Sequence, residues 1–265
     1  MKAKKLLILF AVLMWIVPFA AYAEPTSPVE ELDNISDQAL QMVKLHRYKD
    51  ANRLLEYFSE EFLLVTGNGR PFAMDELRII TVAHDEALEA VANNDLGHAE
   101  KMNRVTKFRL VIDAIVSTHQ PLWAEMEDPI MTVFNDMKTA AYQGDNDRFD
   151  RKLNSFLALY NVIHPSMNID IDPVTIQKVD AKVSYIDQYR PQLLQKASDR
   201  KELEALQTDL QNLFDGLTED EADPSLWWVM ISTGSIIILT LSYVGWRKYI
   251  GNRQKTKDVQ NERKS

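Results

Sequence analysis

Residues Ser27–Phe62 read SPVEELDNISDQALQMVKLHRYKDANRLLEYFSEEF, and this stretch decides the fold class. Ser27 is a helix N-cap, Pro28 suits the first helical position and Glu30 the third, which together make a capping box. A helix is predicted over 28–45. Tyr48, Ala51, Leu54, Leu55 and Phe58 then recur at intervals of three and four, predicting a second helix over 47–64. With almost no chain between them, the two helices must fold back as an antiparallel hairpin.

The same grammar extends outward over residues 24–225. Glycine is scarce, eight in 265 residues, and strand-like alternation is absent. Gly67-Asn68-Gly69-Arg70-Pro71, Asn93-Asn94-Asp95, Gln143-Gly144-Asp145-Asn146 and His164-Pro165 read as breaks. Asp128-Pro129 and Asp172-Pro173 read as acidic caps followed by proline. Between these marks helices are predicted over 73–92, 95–118, 129–142, 146–163, 173–196 and 199–215. A faint repeat matches Tyr48, Ala51, Leu54, Leu55 and Phe58 in order to Leu96, Ala99, Met102, Val105 and Phe108. Phe149, Leu153, Phe156 and Tyr160 are a candidate third copy; generic amphipathic hairpins are the preferred reading over a true repeat. Ile176, Val179, Val183, Ile186 and Leu193 face Leu203, Leu206, Leu210 and Leu213 in a last hairpin, with Gly216 as its C-cap.

The two ends set the compartment. Lys2, Lys4 and Lys5 precede an apolar run and Ala21-Tyr22-Ala23, the pattern of a secretory signal over 1–23. Leu226–Trp246, LWWVMISTGSIIILTLSYVGW, carries no charged residue from end to end. As a helix it is about 31 Å long, matching a bilayer core of about 30 Å. Trp227, Trp228, Trp246 and Tyr249 fall at its two interfaces, and a basic tail over 247–265 follows. The whole chain carries −9, the signal +3 and the tail +5, which leaves −17 on residues 24–225. The positive-inside rule then places the helical body at 24–217 and an acidic tether at 218–225 outside, and the tail in the cytoplasm. The predicted fold is therefore all-α: an exported bundle or solenoid-like array of antiparallel helical hairpins plus one C-terminal transmembrane helix.

Composition narrows the chemistry. The absence of cysteine excludes disulfides, thiol catalysis, cysteine-ligated zinc and a lipobox. The acidic body disfavours nucleic acid and anionic lipid. His46, His84, His98, His119 and His164 are never spaced three or four apart, so none pairs as ligands on one helix face. Asp145, Asp147 and Asp150 resemble part of a calcium loop but lack its glycine and terminal glutamate. Glu125, Glu127 and Asp128 read as charges at a helix start. Trp123 beside Glu125 and Glu127 is the only local hint of a glycosidase-like carboxylate pair. Asn34-Ile35-Ser36 matches a glycosylation acceptor inside a predicted helix and is discounted. No catalytic residue, metal ligand or cofactor is assigned. Within the span, Ser235, Ser242 and Gly245 share one face and form a candidate contact surface for a homodimer.

Two stretches carry a family resemblance: Leu32–Phe62 and the span with its exit, Ile231–Tyr249, ISTGSIIILTLSYVGWRKY. In these the chain resembles the YpjB-like sporulation protein family of endospore-forming Bacillus-type bacteria. The resemblance implies a membrane protein associated with sporulation and brings no catalytic residue with it. The expected function is a non-enzymatic, membrane-anchored protein whose exported domain contacts an envelope or membrane protein. Two alternatives stay open: an enzyme acting on envelope polymers, and an extracytoplasmic sensor of a cationic ligand.

Overall fold

A computed structural model of the chain describes residues 27–67, 71–117, 120–195, 200–219, 231–238 and 240–244. All regular structure among the described residues is helical. The elements are α1 (Pro28–Lys44), α2 (Tyr48–Gly67), α3 (Met74–Ala92), α4 (His98–Val116), a 3₁₀ turn (Leu122–Met126), α5 (Glu127–Gln143), α6 (Asn146–Asp170), α7 (Pro173–Gln188), α8 (Arg190–Gln195) and α9 (Lys201–Glu219).

The helices divide into two units. The first holds α1–α4, Pro121–Trp123 and Asn154–Ile176, which includes the C-terminal part of α6. In it α1 packs on α2 and α4, and α3 packs on α2 and α4, closing an up-down-up-down four-helix bundle. Of the two predicted architectures, this unit is the bundle. Ser27 Oγ accepts from the Glu30 amide at 3.1 Å while Glu30 accepts from the Ser27 amide at 2.7 Å, so the predicted capping box starts α1.

The repeated residues supply the bundle centre. Leu55, Phe58, Val105 and Phe108 are fully buried, and the Phe58 and Phe108 rings meet edge to face at 4.8 Å. Burying each such side chain contributes about 2–3 kcal/mol. Because α2 begins at Tyr48 and α4 at His98, the helix starts match Tyr48 to His98 and not to Leu96. His84 lies against both rings, and its Nε2 is 2.9 Å from the Leu55 carbonyl and 3.2 Å from the Ser59 hydroxyl, so this interior polar group is satisfied.

The second unit holds α5, Asn146–Leu153 of α6, α7 from Gln177, α8 and α9. Leu203, Leu206 and Leu210 are fully buried, as are Ile186 and Leu193. Lys178 and Lys182 of α7 both reach Asp209 of α9, at 2.8 and 2.5 Å, so the predicted last hairpin forms. Its first arm is divided at Tyr189 into α7 and α8.

Several predicted boundaries move. His164-Pro165 does not end a helix: α6 continues to Asp170 with Pro165 inside it. An interior proline costs about 3 kcal/mol, but the fully buried Ile163 and Met167 on either side hold the segment helical. Asp128 is not a cap, since α5 starts at Glu127 directly from the 3₁₀ turn, with Met126 at the N-cap. Gly216 does not stop α9, which continues to Glu219; glycine permits a left-handed stop without requiring one. Gly144 does end α5, at φ 72°. Asp172 caps α7 by accepting from the Val174 and Thr175 amides at 2.8 and 3.2 Å.

The predicted signal (1–23) and tail (247–265) lie outside the described residues, as does most of the tether, 220–225. Of the predicted span, 231–238 and 240–244 are described and helical, with Ile236, Ile238, Leu241 and Val244 exposed. No helix among the described residues is long and apolar enough to cross a membrane; the remainder of 226–246 is outside them.

Candidate functional site

The candidate site is a cleft in the first unit, along the outer face of α3. Helix α3 buries Ile80, Ala83, Ala87 and Val91 in the bundle. That leaves a second stripe, one turn round, carrying Asp75, Arg78, Ile79, Val82 and Glu86. The C-terminal part of α6 lies opposite, and a cleft of about 590 Å³ remains between them. This volume falls within the usual range for ligand sites of about 300–1,000 Å³.

The floor is apolar, formed by Ile79, Ala83 and Val82, with Val82 53% exposed. Pro165 and Pro173 form the far wall. At one end stand Asp75 and Arg78. At the other, Lys107 of α4 donates to Glu86 at 3.0 Å, with the lysine side chain only 13% exposed. His164 and Asn168 complete the rim, and Asn168 Nδ2 donates to the His164 carbonyl at 2.8 Å. A smaller cavity of about 180 Å³ shares Glu86 and Lys107 and continues between α4 and α6, past Arg104 and Asn161.

Pro165 has a chemical consequence for this wall. Lacking an N–H, it cannot donate to the carbonyl of Asn161 one turn back, a residue that lines the smaller cavity. An apolar floor and ends bearing both signs of charge suit a polypeptide segment, which brings apolar and charged side chains together.

The sequence-predicted residues fall elsewhere. Ser235 and Ser242 lie on the described helical stretch with exposed side chains, and Gly245 is outside the described residues. Asp145 accepts from the Arg148 amide at 3.0 Å as a helix cap, and Asp150 pairs with Arg190 at 3.4 Å; Asp136, not the Asp145 group, takes Lys152 at 2.7 Å. Among the described residues, no three His, Asp or Glu side chains converge as a metal site. Trp123 is fully buried and donates its indole N–H to Asp170 at 2.6 Å, so it offers no sugar-stacking face. Ser36 is buried in α1, so the Asn34-Ile35-Ser36 match is interior helix.

The cleft was not legible in the sequence because its walls, 75–86 and 164–173, are separated by the whole of α4 and α5. The available signal was local: exposed Val82 off the buried stripe of α3, and a proline inside an otherwise helical pattern.

Two comparisons place the chain among known proteins. The model of the family described as "Sporulation protein YpjB (SpoYpjB)" matches residues 29–258. Protein YpjB of Bacillus subtilis (strain 168) is 34% identical over 259 residues, covering 97% of this chain and 98% of that one. No solved structure matches.

Proposed function

We propose a function that proceeds from one premise: the chain belongs to the sporulation protein YpjB family. Within sporulation, it serves as a membrane-anchored interaction protein without catalysis of its own. Its helical body binds a polypeptide segment of another envelope or membrane protein, and its anchor keeps that partner at the membrane.

The cleft beside α3 carries this reading. It combines exposed Val82 with an apolar floor, two prolines and a charged pair at each end. One apolar anchor flanked by charges of both signs would fill it, a pattern in which a few central residues dominate affinity. The membrane anchor rests on the uncharged stretch 226–246 and on the exposed apolar side chains of its described helical part. The charge split, −17 on 24–225 and +5 on 247–265, supports a body outside and a tail inside. The small face at Ser235, Ser242 and Gly245 is the surface on which a homodimer would form.

A photo-crosslinking amino acid at Val82, in the full-length chain in sporulating cells, tests the reading. The expected result is one reproducible adduct at Val82 and none at Gln211, an exposed position on α9. Identical adduct patterns at both positions, or none at either, would reject the cleft as the binding surface. Protease added from outside to intact protoplasts tests the orientation. It should cut the body and spare an epitope on the tail; the reverse result rejects the proposed topology.

A further inference from the structure

The end of the bundle where α1 passes to α2 and α4 begins holds a cluster of polar side chains that the cleft does not use. Helix α1 ends in a Schellman turn: the His46 amide donates to Val43 at 2.9 Å and the Arg47 amide to Met42 at 2.8 Å. The left-handed position of this turn usually takes glycine, yet here it is His46, at φ 59°. The turn lays its ring on His98, the first residue of α4, with centroids 4.0 Å apart and planes at 26°. Tyr48 Oη sits 2.9 Å from His46 Nδ1 and 3.0 Å from His98 Nδ1. A hydroxyl has one proton, so it donates to one ring and accepts from the other. The ring that accepts carries its own proton on Nε2, a donor with no partner among the described residues.

Lys101 makes the cluster a ligand site. The residue is 3% exposed, and its ammonium lies 4.5 Å from the centroid of the Tyr48 ring. No carboxylate or carbonyl among the described residues pairs with it. The ammonium itself is not sealed off, so it stays open to a counter-ion, for which an aromatic face is a weak substitute. At this end Glu100 is engaged by Arg104 at 2.8 Å and Asp50 by Arg47 at 2.8 Å. Helix side chains lean toward the N-terminus, which directs Lys101 to the first turn of α4. That turn starts at Gly97 with no side-chain cap, leaving its amides open. Lys44 and Lys49 add positive charge beside this turn of an otherwise acidic body.

We propose that this cluster binds a phosphate-bearing anion. The Lys101 ammonium, one imidazole Nε2–H and the first-turn amides of α4 are its donors, and the stacked His46 and His98 rings form its wall. The −17 of the surrounding body does not forbid this. Screening limits long-range repulsion to about 8–10 Å at ordinary ionic strength, whereas these donors act at contact.

The test uses the full-length chain in phosphatidylcholine nanodiscs. Inorganic phosphate is titrated by calorimetry at constant ionic strength against chloride, and vesicles containing phosphatidylglycerol or only phosphatidylcholine are tested by co-flotation. Saturable phosphate binding identifies a free phosphate group as the ligand. Binding to phosphatidylglycerol vesicles alone identifies a lipid headgroup, and either result supports the site. In the arm that binds, Lys101→Met and His46→Gly should each weaken affinity at least tenfold. His46→Gly should also melt at or above the parental temperature, because glycine relieves the left-handed turn; loss of binding there is loss of the ring and not of the fold. Silence in both arms, or unchanged affinity in both variants, overturns the proposal.

Discussion

The indole nitrogen of Trp123 lies 2.6 Å from a carboxylate oxygen of Asp170, joining the 3₁₀ turn to the C-terminal end of α6. Burial pushes the Asp170 carboxyl up to about 6; the Trp123 N–H pulls it down and the Asp113 charge adds to the rise. The folded value exceeds the ordinary 3.8, so the folded state holds this proton more tightly than the unfolded chain. The contribution of this group to stability is therefore full below about pH 4 and is lost as pH rises through about 6. Asp170→Asn keeps an acceptor for Trp123 and removes the titration. At pH 7.5 it should match or exceed the parental melting temperature, by no more than about 1 kcal/mol once solvent screening of a partly exposed carboxyl is allowed for. At pH 4.5 the advantage should vanish. Melts of the full-length chain in detergent at both pH values check the sign, and a variant less stable at pH 7.5 than at pH 4.5, relative to the parent, would refute it.

Arg109 has three carboxylates in reach: Asp33 at 2.7 Å, Asp113 at 3.5 Å and Asp37 at 3.7 Å. Its side chain is only 9% exposed. Removing the cation leaves like charges facing one another across α1 and α4, so Arg109→Met should cost about 3–5 kcal/mol. Asp37 is half exposed, and Asp37→Asn should change stability by less than about 1 kcal/mol. Thermal melts of the two variants side by side give the contrast. Equal effects would mean that burial does not govern this network.

The helices and the hairpin order were legible from local chemistry. Ser27, Asp172 and Gly144 each determine a helix end through their own backbone or side-chain bonds, and those ends fall where predicted. Boundaries set by tertiary packing were not legible. Pro165 stays helical because Ile163 and Met167 are buried, and nothing near Pro165 in sequence announces that. His46 and His98 stand 52 residues apart, and no local pattern joins them. Their meeting depends on a left-handed turn at a residue that is not glycine, and on two helices joining at the same end of a bundle.

Gly144 isolates a purely conformational effect. Its φ is 72°, and a Cβ added there would meet nothing within 4 Å. Gly144→Ala therefore introduces no clash, only the cost of a left-handed alanine, about 1 kcal/mol. A loss several times larger in a denaturant melt would show that the α5–α6 turn does more than reverse the chain.

Pro165 sets stability against binding. Pro165→Ala returns a donor to the Asn161 carbonyl and removes the ring's clash within α6, a gain of about 3 kcal/mol for an interior proline. The unfolded chain becomes more flexible at the same time, at a cost of about 0.4–1 kcal/mol. The net should be a stabilisation of about 2 kcal/mol, visible as a raised melting temperature. The same change removes one of the two prolines of the cleft wall, so the adduct formed at Val82 should fall severalfold although the protein is more stable. A stabilised variant with undiminished adduct would separate Pro165 from the binding surface, and a destabilised one would mean that the proline itself is required for α6 to pack.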